Sequence, residues 1–203
     1  MSFGNPAASS VSPLSSLALC SLGWDVIATD TRTVISLVLQ NNIDANRANL
    51  PDGSGCIQIR ELDWTVEPEK WTWTDSSRIA SHSFQESSGM ETLSPPFDLV
   101  LTADTVYIPE LLTPLFRTLR ALSQDGHPHV FLALERRDSQ LIDEALAQAQ
   151  RVWFFSPQRI PNKKISKALI KAGCQWDKSE WEGVEIWKLV VNSALQETPS
   201  IGS

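Results

Sequence analysis

The chain has 203 residues, 42% of them apolar, which is enough for one domain with a sizeable core. A formal net charge of −7 repels a nucleic-acid backbone on average and argues against nucleic acid as the main partner. No run of about 20 apolar residues exists, so no helical membrane span is expected, and "MSFGNPAASSVSPLSS" lacks the basic start and apolar centre of a signal peptide.

Residues 1–12 are small, polar and weakly patterned, and are expected to be loose. "PLSSLALCSLG" (13–23) predicts a short helix, with Pro13 first and Gly23 past the end. "DVIATD" (25–30) is a short apolar run tipped by an acid, the pattern of a buried strand. Val34, Leu37, Val38 and Ile43 recur near helical spacing over 31–47. "PDGSG" (51–55) is a turn, and "CIQIRELDW" (56–64) alternates like a strand. Residues 65–96 hold Trp71, Trp73 and a Ser-rich stretch, and read as a long loop or insertion. A strand over 97–103 follows, then a helix over 109–123 with Leu112, Leu115, Phe116 and Leu119 on one face. "HVFLALE" (129–135) is a buried strand, and 139–150 a helix capped by Asp138 or Ser139. Residues 152–160 read as a strand, 163–173 as a helix and 183–191 as the last strand.

Helices and strands in alternation imply α/β layers around a mostly parallel sheet. One domain is expected over 13–192, followed by a tail over 193–203. Cys20, Cys56 and Cys174 are widely spaced without a CxxC pair. They are expected to be reduced, part-buried thiols of an intracellular protein. His82, His127 and His129 show no metal-ligand spacing, so no metal is expected.

Three strand tips carry candidate chemistry. Asp30 ends "DVIATD"; a carboxylate there can accept hydrogen bonds from both hydroxyls of a ribose, or Asp30 and Thr31 can simply cap the next helix. Trp64 ends "ELDWT" and offers an aromatic wall to a ligand, or a core side chain under the 65–96 loop. "DLVLTADTVY" (98–107) places small Ala103, then Asp104, then the only tyrosine, Tyr107. The blander reading is that Asp104 caps the helix over 109–123 and Tyr107 is buried. On the helix over 163–173, Lys163, Lys164, Lys167 and Lys171 oppose Ile165, Ala168 and Leu169, which reads as a solvated face over an apolar stripe.

"GWDVIATD", "LDW" and "DLVLTADTVYIPELLTPLFRTL", in that order, resemble the eukaryotic seven-strand lysine methyltransferases of family 16, the methyltransferase-like group with an Asp-x-x-Tyr signature. The resemblance spans about residues 14–191. It implies a Rossmann-like sheet and S-adenosylmethionine as cofactor. It places Asp30 on the ribose, Trp64 and Ala103 along the adenine and methionine side, and Asp104 and Tyr107 where a target lysine meets the methyl group. The implied partner is a protein carrying that lysine, in the cytoplasm and also the nucleus, with neither nucleic acid nor membrane.

The family opens with a strand and a Gly-rich GxGxG loop, and "MSFGNPAASSVSP" holds one glycine and no apolar run. The first, central strand is therefore expected to be missing and the sheet incomplete. Two readings follow: a protein-lysine methyltransferase in a shortened version, or a non-catalytic methyltransferase-like module that binds partners. An NAD-type oxidoreductase would need the same glycine loop and leaves Asp-x-x-Tyr unexplained.

Overall fold

In the computed structural model residues 6–10, 13–83 and 92–192 are described; the expected tail and part of the Ser-rich stretch lie outside them. The strands are β1 (Pro6–Ser10), β2 (Asp25–Asp30), β3 (Ile57–Leu62), β4 (Arg78–Ala80), β5 (Leu99–Ala103), β6 (His129–Glu135), β7 (Phe155–Arg159) and β8 (Val184–Val191). They form one sheet in the order β4-β3-β2-β1-β5-β6-β8-β7. All neighbours run parallel except β8, which is antiparallel to β6 and to β7.

The expected missing strand is present. β1 lies at the centre, with Ala7 opposite Val26 and Leu99, and Ser9 opposite Ala28 and Leu101. The expectation failed because it asked this segment for apolar surface. A strand flanked on both sides must first supply backbone donors and acceptors to its neighbours, and "PAASS" does so with small side chains while β2 and β5 bring the apolar ones. Ala7 is wholly buried. Pro6 stands at the first strand residue, where a missing N–H is tolerated, and Pro13 opens α1 (Pro13–Ser21) instead of interrupting the ladder.

Alternation along β2 divides the core. Val26 and Ala28 face a cluster with Cys20, Leu39, Ile43 and Ile57, while Ile27 joins the larger cluster on the other side. The smaller cluster is covered by α1 and by one continuous helix over 32–47. That helix runs from α2 (Arg32–Val34) through a π-helical stretch (Ile35–Leu39) into α3 (Gln40–Arg47). The larger cluster is covered by α4 (Leu112–Leu122) and α5 (Ser139–Arg151). Leu112, Leu115, Phe116 and Leu119 are all buried on α4, as their spacing predicts, and Asp138 caps α5 by accepting from the Leu141 N–H at 3.0 Å. The last helix, α6 (Asn162–Lys171), has no buried residue.

Residues 65–96, expected as a long loop or insertion, carry secondary structure of their own. They contain a 3-10 turn (Pro68–Lys70) and β4, which pairs outside β3 and, with β1, takes the sheet beyond the strands expected from the sequence. The anchor is Arg60, wholly buried on β3. Its guanidinium donates to the carbonyls of Leu93 (2.8 Å), Thr72 (3.3 Å) and Arg78 (3.3 Å) and lies 5.6 Å from the Trp73 ring. Burial lowers the Arg60 pKa from its ordinary value, and the Asp75 charge offsets part of that. Trp73 in turn packs on Phe97, with ring centroids 5.6 Å apart. All three cysteines are free; Cys20 is buried, but Cys56 is exposed where partial burial was expected.

Candidate active site

β1, β2, β3, β5 and β6 end at one edge of the sheet, where open α/β folds bind their ligands. Two clefts lie along it. The first, of about 140 Å³, lies past β2 and β3 and is lined by Asp30, Val34, Leu62, Asp63, Trp64 and Tyr107, with Leu111 from the turn before α4. The second, of about 440 Å³, lies past β5 and β6 and is lined by Asp104, Tyr107, Glu135, Arg137, Asp138 and the apolar Leu141 and Ile142. Tyr107 belongs to both.

Asp30 does not cap the following helix. Thr31 holds the cap position without a side-chain hydrogen bond into the first turn. The Asp30 Oδ1 accepts the Thr31 N–H at 2.7 Å, and Oδ2 has no hydrogen bond among the described residues. Burial raises the Asp30 pKa; the Thr31 amide and hydroxyl pull the other way. The result is a desolvated carboxylate with an unused oxygen in a cleft. Trp64 is half-buried, packs on the larger core and lines the same cleft, so both readings of it hold. Its carbonyl accepts from Arg117 at 2.9 Å, which fixes the turn.

Asp104 turns the chain out of β5 with φ = 52°, a left-handed conformation that aspartate tolerates better than most residues. Its N–H donates to the Ala133 carbonyl at 3.0 Å. The hydroxyls of Thr102 and Thr105, both buried, meet at 2.9 Å and close the turn around it. The capping role fails here too: helix formation begins at Pro109, with Ile108 before it and no side-chain cap. Tyr107 is 62% exposed, the opposite of the buried tyrosine of the blander reading. Ala103 closes β5 opposite Ala133, half-buried, and lines neither cleft.

The second cleft carries three carboxylates, Asp104, Glu135 and Asp138, against one cation, Arg137. Arg137 pairs with Glu135, and the Asp104 charge helps to hold it protonated. Behind the cleft, Arg136 makes two bonds to the buried Glu185 of β8, at 2.9 and 3.1 Å, and the Trp187 indole N–H adds a third at 2.9 Å. Burial alone would raise the Glu185 pKa; the bonds from Arg136 and Trp187 and the charge of Arg159 bring it below the usual carboxylate range.

Sequence reasoning missed Asp63, Glu135, Arg137 and Asp138. The strand-tip rule that found Asp30 applies equally to "ELD" after β3 and "LERRD" after β6. Asp63 accepts from the Thr65 N–H (2.9 Å) and hydroxyl (2.6 Å), and Thr65 in turn bonds His82 at 2.9 Å. No group of His, Cys, Asp and Glu among the described residues could hold a metal ion. The place of the expected glycine loop, after Ser10, is Val11-Ser12; it contains no glycine and lies outside the described residues.

Solved structures share the architecture. The methyltransferase domain of a bacterial Hen1 protein, CtHen1, matches with a TM-score of 0.53 at 9% identity, covering 92% of this chain and 90% of that one. A TehB-like S-adenosylmethionine-dependent methyltransferase from Corynebacterium glutamicum gives 0.49 at 10% identity over 95% and 82%. Another from Methanosarcina mazei gives 0.46 at 12% identity over 95% of each chain. At 9% identity the likeness to the CtHen1 domain is one of fold. No curated protein matches the sequence. A family model described as lysine methyltransferase matches residues 14–151, more than half of the chain, from α1 through the Asp104–Tyr107 segment to the end of α5. The chain therefore belongs to the lysine methyltransferase family, with S-adenosylmethionine as its cofactor.

Proposed function

We propose that the chain transfers a methyl group from S-adenosylmethionine to the side-chain nitrogen of a protein lysine, with the cofactor's adenosine in the first cleft and the lysine in the second. The observation that carries this reading is Tyr107, the side chain common to an acid-and-indole cleft and an acidic, apolar-floored one.

The residues present fit adenosine. A ribose offers two hydroxyls, and Asp30 holds an unused carboxylate oxygen; the base offers a flat face, and Trp64, Val34 and Leu111 offer apolar wall. When bound, the cofactor supplies an electrophilic sulfonium methyl. The chain's own residues must then deliver a neutral amine, against an ordinary lysine pKa of about 10.4. Asp104, Glu135 and Asp138 draw the ammonium in. Leu141, Ile142 and the Tyr107 ring flank the aliphatic stem, and partial removal from water favours loss of the ammonium proton to bulk water before the amine attacks. Asp104, held in place by the Thr102–Thr105 hydroxyl pair, orients the nitrogen. Rate then comes from positioning and electrostatics.

The test is transfer of isotope-labelled methyl from S-adenosylmethionine into a pool of cellular proteins, with the labelled side chain identified by mass spectrometry. Label in lysine, reduced about a hundredfold by Asp104→Asn, is the expected result. Label confined to another side chain or to nucleic acid would overturn the lysine assignment. A second reading, a non-catalytic binding module, is favoured by one observation: the segment after β1 has no glycine to approach the cofactor. Its signature would be a folded protein that does not bind S-adenosylmethionine.

A further inference from the structure

Beyond β7 lies a third hollow, of about 340 Å³, that plays no part in either cleft. Its walls include Lys163, Leu169 and Ile170 of α6 and the indoles of Trp176 and Trp181. Ile170 is 73% exposed and Trp176 61% exposed. A contiguous apolar surface of this kind, rimmed by charge, marks an interaction site more often than idle surface.

Charge and position say what would fill it. Arg159–Gly183 carries six cations and three carboxylates, in a chain whose net charge is −7. Lys163, Lys164, Lys167 and Lys171 are exposed on α6, and among the described residues none of them is in an ion pair. β7 and β6 are each antiparallel to β8, so they point the same way, and α6 starts at the edge that carries the two clefts. Gly183, two residues after Trp181, accepts the Arg136 N–H at 2.9 Å, and a Cβ placed on it would stand 3.8 Å from Cγ of Glu135. Glu135 itself lines the second cleft. A basic apolar groove thus adjoins an acidic cleft.

We propose that this groove docks an acidic segment of the substrate protein, anchored by an aliphatic or aromatic side chain against Trp176 and Trp181, while the neighbouring lysine enters the cleft at Asp104 and Tyr107. The lysine half of that statement rests on the proposed function; the docking half does not. Substrates are then selected by a charge pattern, a lysine beside an acidic stretch, that matches the two surfaces in turn. Asp177, Glu180 and Glu182 are exposed and stand beside Trp176 and Trp181 in the sequence; they oppose any polyanion, so the apolar anchor and the lysines of α6 must outweigh them.

The test uses the full chain and three fluorescent probes: an acidic peptide with one leucine and one lysine, the same peptide with its acids replaced by arginine, and a single-stranded RNA. Anisotropy reports binding independently of catalysis. The acidic peptide should bind, more weakly as salt rises. Trp176→Ala should weaken it about tenfold, and Lys163→Glu with Lys167→Glu about fivefold. Cofactor affinity should not change, because these residues lie outside both clefts. Equal binding of the arginine peptide, tighter binding of the RNA, no binding of any probe, or variants that bind like wild type would each overturn the docking site. Peptide bound in the groove but never methylated would leave docking standing and count against the lysine reading.

Discussion

Of the two clefts that meet at Tyr107, the first is lined by Asp30 and the second is backed by Glu185, a carboxylate in opposite circumstances. In the first, Asp30 is partly desolvated, has among the described residues only its neighbour Thr31 for support, and titrates above the ordinary aspartate range. In the second, the carboxylate that matters for structure is Glu185, behind the surface, buried and held down by Arg136 and Trp187. A desolvated acid with a spare oxygen is set up to receive a ligand. An acid saturated by donors is set up to hold strands together. The difference separates a binding carboxylate from a structural one by hydrogen-bond supply, not by sequence position, since both lie in strands of the same sheet.

Glu185→Gln is the largest way to break this contrast. It removes the charge and one of the two acceptor oxygens that Arg136 and Arg159 share and should cost roughly 2–3 kcal/mol, less than a fully buried pair because Arg136 is part-exposed and keeps Asp143. Denaturant melts measure the loss. Hydrogen exchange should rise in β6 and β8 while β2 and β3 stay protected; uniform loosening would mean the second cleft has no separate support. The wild type makes the same point with pH. Glu185 titrates low in the folded state, so its contribution is fully present above the ordinary carboxylate range and is lost as pH falls through the depressed value. Asp30 has the opposite sign: its ionisation opposes folding slightly. Because a ribose needs the charged acceptor, cofactor affinity should fall on acidification with a midpoint above that of an ordinary aspartate.

Arg60→Met tests the wall beside the first cleft. The carbonyls of Leu93, Thr72 and Arg78 lose their donor, which should cost roughly 1–2 kcal/mol, the burial of the charge being relieved at the same time. Proteolysis within residues 65–96 should speed up before global unfolding; an unchanged cleavage rate would mean Arg60 does not anchor the insertion. The smallest effect belongs to Tyr107→Phe. The ring survives as a wall for both clefts and only the hydroxyl is lost, so cofactor affinity should change by less than about threefold. A large change would make the phenol a direct ligand.

Much of this was legible in the sequence, and the exceptions share causes. The strand "HVFLALE" and the α4 face are set by long apolar repeats and are observed as predicted. β1 was illegible because its partners, not its own side chains, supply the apolar surface; pattern reading weighs side chains and is blind to a ladder. β4 is too short to show a period and depends on Arg60, a buried cation that composition alone assigns to the surface. Asp30, Trp64, Asp104 and Tyr107 could be named because each stands at or just past a strand end. That Tyr107 joins two clefts, while Ala103 enters neither, depends on the left-handed turn at Asp104, which no residue type dictates.

The central claim is that adenosine and lysine occupy separate clefts, and isothermal titration of S-adenosylmethionine into wild type, Asp30→Ala and Asp104→Asn tests it most directly. Both variants remove a carboxylate near the protein surface without opening the core. Wild type should bind, Asp30→Ala should bind about ten- to a hundredfold more weakly for loss of a charged acceptor, and Asp104→Asn should bind like wild type. Affinity unchanged by Asp30→Ala, or lost equally in both variants, would contradict that claim.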